Sequence, residues 1–200
     1  MMMAAAGGAR IGPNAVIQVT AALTRRLGAA AAREMLVAAG LGAYVKAPPR
    51  QMIDEREVIA LHALLRERLQ PTTAAEVVRA AGLATGDYLL AHRIPRLAQW
   101  VLRSLPAQLA APLLLGAIRR HAWTFCGSGH VTARAGRPLV ITIEDCPICR
   151  GANAVRPQCD YYAATFARLF RRLVHRHARV RETACRAAGA DSCRFEIDWD

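Results

Sequence analysis

Two cysteines that face each other across a predicted β-hairpin near the C-terminus constrain this 200-residue chain more than any other feature. The segments 180–187 and 192–199 are each typical of strands, and Gly189 marks the turn between them. In such a hairpin Cys185 and Cys193 are cross-strand partners, whose Cβ atoms lie about 4.5–5.5 Å apart on one face. The C-terminal part of the chain is therefore expected to contain antiparallel sheet.

The same pair has the spacing of two metal ligands, because two thiolates on one face suit a tetrahedral zinc ion with Zn–S bonds of about 2.3 Å. Glu182 lies three residues before Cys185, off the two-residue alternation of a strand, and a local bend or bulge would turn its carboxylate to the same ion. Cys159 is expected in the first turn of a helix that begins at Pro157. The alternative, that Cys185 and Cys193 are simply buried apolar residues or a disulfide, stays open on spacing alone.

The N-terminal part of the chain has the periodicity of helices. Asp54 is expected to cap a helix that runs to about residue 69. Thr73 and Glu76 have the spacing of a capping box for the next helix, which Gly82 is expected to end.

Strand signals begin only after residue 121, first in 123–134 and most clearly in 138–144. The chain is therefore predicted to have an α/β (α+β) fold, in which N-terminal helices precede an antiparallel sheet packed on helices. Residues 1–12 are small and glycine-rich and are expected to be flexible. Residues 13–200 are expected to form one domain, helical over 13–121 and mixed α/β over 122–200.

The chain is strongly basic, with a formal net charge of +12 and a pI of about 10.6. Lys46 is the only lysine among the 27 basic residues. This preference for arginine looks like a compositional bias, so the net charge by itself is no evidence for a nucleic-acid partner. The densest basic stretch, 168–181, is expected to be a solvated face, with docking to an acidic partner enzyme or anionic lipid as alternatives. We expect no nucleic-acid partner, because no recognition helix or stacking platform accompanies the charge.

No segment has the roughly 20 apolar residues that cross a bilayer, since the most apolar run, 105–118, is interrupted by Pro106 and Pro112. The N-terminus lacks the layout of a signal peptide. We therefore expect a cytoplasmic protein that associates at most peripherally with a membrane. In a reducing compartment the six cysteines are better explained as metal ligands or reactive thiols than as three disulfides.

Cys146-Pro-Ile-Cys149 forms a second pair, in a loop that follows a predicted strand. Such a pair can be a redox dithiol, half of a metal site or two unreactive thiols. Redox catalysis is the minority interpretation, because Gly151 and Pro157 make the following residues a loop and not a helix. Cys146, Cys149, Cys185 and Cys193 are an alternative zinc set.

The pattern Cys159…Glu182-x-x-Cys185…Gly189…Cys193-x-Phe195 resembles the 4-vinyl reductase domain. Bacteriochlorophyll biosynthesis proteins and transcription activators that sense small aromatic molecules share this domain. By motif the resemblance covers roughly the last 80 residues, and by helix order most of the chain. The chain's length and the loop at Cys146 resemble the stand-alone members that serve bacteriochlorophyll biosynthesis for photosynthesis.

The resemblance implies a ligand-binding fold related to a vesicle-tethering subunit, usually a homodimer. It implies a structural zinc ion held by Cys159, Glu182, Cys185 and Cys193 beside the ligand pocket. The implied ligand is a divinyl chlorophyllide-type tetrapyrrole, bound by a substrate carrier or auxiliary factor for reduction of the 8-vinyl group (4-vinyl in older numbering). Other bacteriochlorophyll biosynthesis enzymes are then expected partners.

A pocket for that ligand is expected where the helical part meets the first strand. A tetrapyrrole needs apolar and aromatic walls, a histidine for its central magnesium and a basic group for its propionate. Residues of these types cluster there: Trp100, Arg119, His121, Trp123, Phe125 and His130.

Whether the chain itself catalyses the reduction is left open. A nicotinamide-binding fold would show G-x-G-x-x-G between a strand and a helix, and Gly127-Ser-Gly129 lacks the third glycine. Binding without catalysis is therefore the first hypothesis. The alternatives are a vinyl reductase with an unrecognised electron donor, and a sensor or scaffold for small aromatic molecules.

Overall fold

The computed structural model describes residues 8–200 and has the predicted α+β architecture. Seven helices precede the main sheet in the described chain, with a two-stranded sheet between them. The elements of this half are β1 (Arg10–Ile11), α1 (Asn14–Leu27), α2 (Ala29–Ala38), α3 (Ala43–Lys46), β2 (Ile53–Asp54), α4 (Glu55–Arg68), α5 (Pro71–His92), α6 (Arg96–Ser104) and α7 (Ala107–Arg120). Among these described helices, none is long and apolar enough to cross a membrane.

The C-terminal half contains the main sheet and one long helix. Its elements are a short 3₁₀ turn (Ala122–Thr124), β3 (His130–Arg134), β4 (Leu139–Glu144), α8 (Asp160–Leu173), β5 (Arg179–Ala184), a second 3₁₀ turn (Arg186–Ala188) and β6 (Cys193–Asp198). The four strands are antiparallel and follow the order β3-β4-β6-β5. The first strand after β4 is thus β5, at the edge, and β6 returns between them.

Helix α8 joins the sheet to the helical half. Its aromatic face packs on the sheet, where the Phe166 ring meets the Phe195 ring of β6 at a centroid distance of 5.5 Å. Its other side packs along α5, with the Thr165 hydroxyl donating to the Gly82 carbonyl at 3.0 Å. Both faces of α8 are therefore buried, and the position of its N-terminus is set by the core.

Several local predictions are confirmed. Asp54 is the N-cap of α4, and its carboxylate accepts a hydrogen bond from the Arg56 backbone N–H at 2.9 Å. The C-terminal hairpin forms as β5 and β6, and Ala184 pairs with Arg194, so that Cys185 and Cys193 are next in register. Gly189 adopts the left-handed conformation at the turn.

The prediction that Gly82 ends a helix is wrong, because α5 continues to His92. Gly82 instead allows close approach of α8, since a Cβ at this position would lie 2.2 Å from the Tyr161 carbonyl oxygen. The capping box at Thr73 is also wrong: α5 begins two residues earlier at Pro71, whose fixed φ suits the first helical position.

Three boundaries differ from expectation. Helix α8 begins after Cys159, which is its N-cap residue, and not at Pro157. Of the segment 123–134, only His130–Arg134 is a strand. The flexible N-terminus predicted for residues 1–12 falls in part on residues 1–7, which lie outside the described chain, whereas Arg10–Ile11 pair with β2 and Ile11 is buried.

Candidate metal centre

Five buried cysteines converge where the β4–α8 loop, the start of α8 and the C-terminal hairpin meet. Cys146 and Cys149 lie in the loop after β4, and Cys159 caps α8. Cys185 follows β5, and Cys193 opens β6. All five are free thiols with side chains excluded from solvent, whereas the sixth cysteine, at position 126, lies outside the group.

Several pairs of these sulfur atoms are in contact, at the spacing of ligands that share an ion. The Sγ atoms of Cys159 and Cys193 are 3.6 Å apart, and those of Cys185 and Cys193 are 3.8 Å apart. Tetrahedral coordination with Zn–S bonds of about 2.3 Å requires sulfur–sulfur separations of roughly 3.8 Å. The hairpin thus presents its two thiols at a distance that suits a shared metal ion.

A β-bulge brings Glu182 to this group. Glu182 pairs with Phe195 and Ala184 with Arg194, so the register shifts by one residue between them. One carboxylate oxygen of Glu182 accepts a hydrogen bond from the Cys159 backbone N–H at 2.7 Å. The other, Oε1, is buried and has no hydrogen-bond partner among the described residues. An orphaned carboxylate oxygen beside thiols is a donor that a cation would satisfy.

The surroundings of Glu182 also disfavour its negative charge when no cation is bound. Burial, followed by the proximity of Cys185, raises the pKa of Glu182 to about 9. A bound cation would favour the ionised carboxylate.

Two four-residue ligand sets are complete, each with its donor atoms within 4.8 Å of one another. The first is Cys159, Glu182, Cys185 and Cys193, the set implied by the resemblance. The second is Cys146, Cys149, Cys159 and Cys193, which differs from the alternative set considered from the sequence in containing Cys159 instead of Cys185.

The loop that carries Cys146 and Cys149 is supported from the helical half by Arg66 and Glu55, which the sequence did not single out. The Arg66 guanidinium, largely buried, donates to the Ile148 carbonyl at 2.8 Å and places a positive charge near the thiols. The Glu55 carboxylate forms an ion pair with Arg150 at 2.8 Å and accepts from the Ser128 N–H and hydroxyl at 2.8 and 2.7 Å. No motif marks these residues, because each reaches a partner more than 70 positions away.

Two open clefts flank the Gly127–Ser128 turn. A polar one of about 400 Å³ is lined by direct neighbours of three cluster cysteines, namely Asp145, Arg186 and Ser192. The other, of about 550 Å³, is more apolar. Its lining residues are Ala9, Arg10, Gln51, Met52, Trp123 and Gly127.

The structure distributes the six predicted pocket residues over several surfaces. Trp123 lines the apolar cleft and His130 the polar one. The Phe125 ring packs edge-on against Tyr162 at 5.8 Å, at the margin of the core. Trp100 is exposed on α6, and Arg119 lies in the last turn of α7. His121 follows α7 directly, and its ring forms a hydrogen bond of 2.9 Å with the Ala117 carbonyl.

Comparison with known proteins gives a family for this geometry. The family model of the 4-vinyl reductase domain matches residues 139–198, which span β4 to β6 and include all six candidate ligands. The chain is 48% identical over 188 residues to the bacteriochlorophyll synthase 23 kDa chain of Cereibacter sphaeroides, covering 94% of this chain and 90% of that protein. The protein of the same name from Rhodobacter capsulatus is 42% identical over 188 residues, covering 94% and 86%.

Among solved structures, an H-NOX protein from S. oneidensis in its Fe(II)NO ligation state superposes with a TM-score of 0.52. The match covers 94% of this chain and 98% of that one at 13% identity, so it supports the shared α+β fold alone. The fold, the cysteine and glutamate pattern and the near full-length identity agree: the chain belongs to the 4-vinyl reductase domain family, in the group that includes the bacteriochlorophyll synthase 23 kDa chains.

Proposed function

We propose that the chain serves bacteriochlorophyll biosynthesis by binding a divinyl chlorophyllide-type tetrapyrrole, as a substrate carrier or auxiliary factor for reduction of the 8-vinyl group. The observation that carries this is the 48% identity, along 94% of the chain, to a protein named for bacteriochlorophyll synthesis. Identity at that level over nearly the whole length extends beyond the C-terminal module to the N-terminal half, which supplies Arg10 and Met52 to the apolar cleft.

The apolar cleft is the proposed pigment site. Its volume of about 550 Å³ lies in the range of small-molecule pockets, roughly 300–1,000 Å³. Trp123 offers an aromatic face that is 62% exposed, and Met52 adds a polarizable apolar contact. Arg10 borders the same cleft, where its guanidinium can pair with a propionate.

Zinc is the proposed occupant of the metal centre, in a structural role. Thiolates select soft or borderline ions, and four protein ligands leave no open position for a substrate. An ion bound by Cys159, Glu182, Cys185 and Cys193 would tie the start of α8 to the C-terminal hairpin. The free energy of binding would then stabilise the part of the fold that borders the polar cleft.

We also propose that the protein binds peripherally to a membrane surface. Helices α6 and α7 expose apolar side chains at helical spacing, close to exposed arginines such as Arg96 and Arg103. The exposed apolar residues are Leu97, Trp100, Val101, Leu109 and Leu113. Apolar insertion flanked by positive charge suits an anionic bilayer. The homodimer implied by the resemblance stays a prediction.

Absorption spectroscopy tests the pigment proposal. Titration of the purified protein with divinyl protochlorophyllide should shift the pigment's bands with saturation at micromolar concentration. Trp123→Ala should weaken binding about tenfold, equivalent to about 1.4 kcal/mol. Trp100→Ala is the comparison, because Trp100 is equally exposed but lies on α6.

A loss in Trp100→Ala alone would move the binding site to α6, an equal loss in both variants would contradict the assignment to the apolar cleft, and no band shift at all would contradict pigment binding. Conversion of the vinyl to an ethyl group by the pure protein with a nicotinamide would instead favour the alternative, a reductase.

A further inference from the structure

The two ligand sets overlap, and a single ion would use only one of them. Both contain Cys159 and Cys193, and together they comprise six side chains. An ion in the first set leaves the thiols of Cys146 and Cys149 buried against its ligands without a role. Two thiols packed sulfur to sulfur against metal ligands supply the donors of a second site.

The sulfur contacts outline two tetrahedra that share an edge. The shared edge is the 3.6 Å contact between Cys159 and Cys193. On one side Cys185 lies 3.8 Å from Cys193. On the other side Cys146 lies 3.5 Å from Cys159, and Cys149 lies 3.4 Å from Cys193. All four separations are close to the roughly 3.8 Å edge of a zinc–sulfur tetrahedron.

The charges of the group also accommodate a second ion. A divalent ion that recruits Cys146 and Cys149 as thiolates brings two positive charges for two negative ones, so the net charge of the centre stays the same. The thiol protons are released to solvent when the ion binds. The buried Arg66 guanidinium offsets part of the remaining negative charge, since it donates to the carbonyl of Ile148 between these two cysteines.

We propose that this chain binds two zinc ions in one bridged centre. Cys159 and Cys193 bridge both ions, Glu182 and Cys185 complete the first, and Cys146 and Cys149 complete the second. The inference rests on the structural zinc of the proposed function and extends it. The second ion ties the loop between β4 and α8 to the hairpin. One zinc–thiolate centre then joins three segments, namely this loop, the start of α8 and the hairpin.

Metal stoichiometry is the test, measured by elemental analysis and native mass spectrometry on protein produced with zinc in excess. Two zinc ions per chain are expected for the wild type. The double variant Cys146→Ser, Cys149→Ser should retain one. Cys126→Ser is the matched control and should retain two, because this buried cysteine lies outside the cluster.

One zinc ion per chain in the wild type would overturn the bridged pair while leaving the single zinc of the proposed function intact. No zinc at all would overturn both, and iron with inorganic sulfide would replace the zinc pair by a different cluster. If the double variant does not fold, zinc X-ray absorption of the wild type decides. A metal–metal distance of roughly 3–4 Å supports the pair, and its absence contradicts it.

Discussion

Replacement of Gly82 by alanine tests how tightly α8, and with it Cys159, is held against the helical half. The added Cβ would lie 2.2 Å from the Tyr161 carbonyl oxygen and 2.9 Å from the Ala164 Cβ. The clashing atom belongs to the backbone of Tyr161 in the buried first turn of α8, which cannot move aside cheaply, so overpacking should cost about 3 kcal/mol, the upper end of the usual range. Alanine regains about 1 kcal/mol of helix propensity.

The net destabilisation is therefore about 2 kcal/mol, which lowers the melting temperature of a chain of this size by about 4–8 °C. Thermal unfolding followed by circular dichroism measures it, with Gly116→Ala as the control. Gly116 lies inside α7, and nothing lies within 4 Å of the position that an added Cβ would take, so alanine there should raise the melting temperature by about 2–4 °C. A Gly82→Ala protein as stable as the wild type would refute the close packing of α5 on α8.

The remaining predictions concern the metal centre and its support. Cys185→Ala should lower the melting temperature and the zinc content together, because it removes a metal ligand; Cys126→Ala should retain the zinc, and equal zinc loss in both would contradict the ligand assignment. Glu55→Gln should cost about 2 kcal/mol at pH 7, since it leaves Arg150 without its ion pair. Although burial raises the pKa of Glu55, hydrogen bonds from Ser128 and Arg150 outweigh it and bring that pKa below its ordinary 4.5. The stabilisation by the ionised Glu55 carboxylate is therefore present above about pH 4.5 and is lost as the pH falls through the folded-state pKa. Urea unfolding should show that the loss of unfolding free energy in Glu55→Gln, relative to the wild type, shrinks below pH 4.5. A loss that does not depend on pH would contradict the charge assignment.

The hairpin could be predicted from the sequence because its information is local. Strand residues on both sides of Gly189 define the register, and the register alone makes Cys185 and Cys193 neighbours. The need for a bend or bulge near Glu182 followed from the two-residue period of a strand, and the register shift occurs between Glu182 and Ala184.

The parts that could not be predicted depend on contacts between distant segments. Gly82 has the same local signal whether it ends a helix or lets a second helix approach, and only the position of α8 distinguishes the two. The proximity of Cys146 to Cys159 likewise depends on how a loop without regular structure folds back, a question that spacing along the chain leaves open. The support of that loop by Glu55 and Arg66 is equally invisible in the sequence, because both partners are far away along the chain.

The most direct measurement is the identity and amount of the pigment that accompanies this protein when it is isolated from bacteriochlorophyll-producing cells. Affinity purification under mild conditions, followed by chromatography and absorption spectroscopy of the extract, identifies and quantifies it. A carrier for vinyl reduction should retain a tetrapyrrole that still has its 8-vinyl group, in an amount comparable to the protein. Protein that is free of pigment, although its zinc is retained and such cells contain divinyl intermediates, would contradict the central claim.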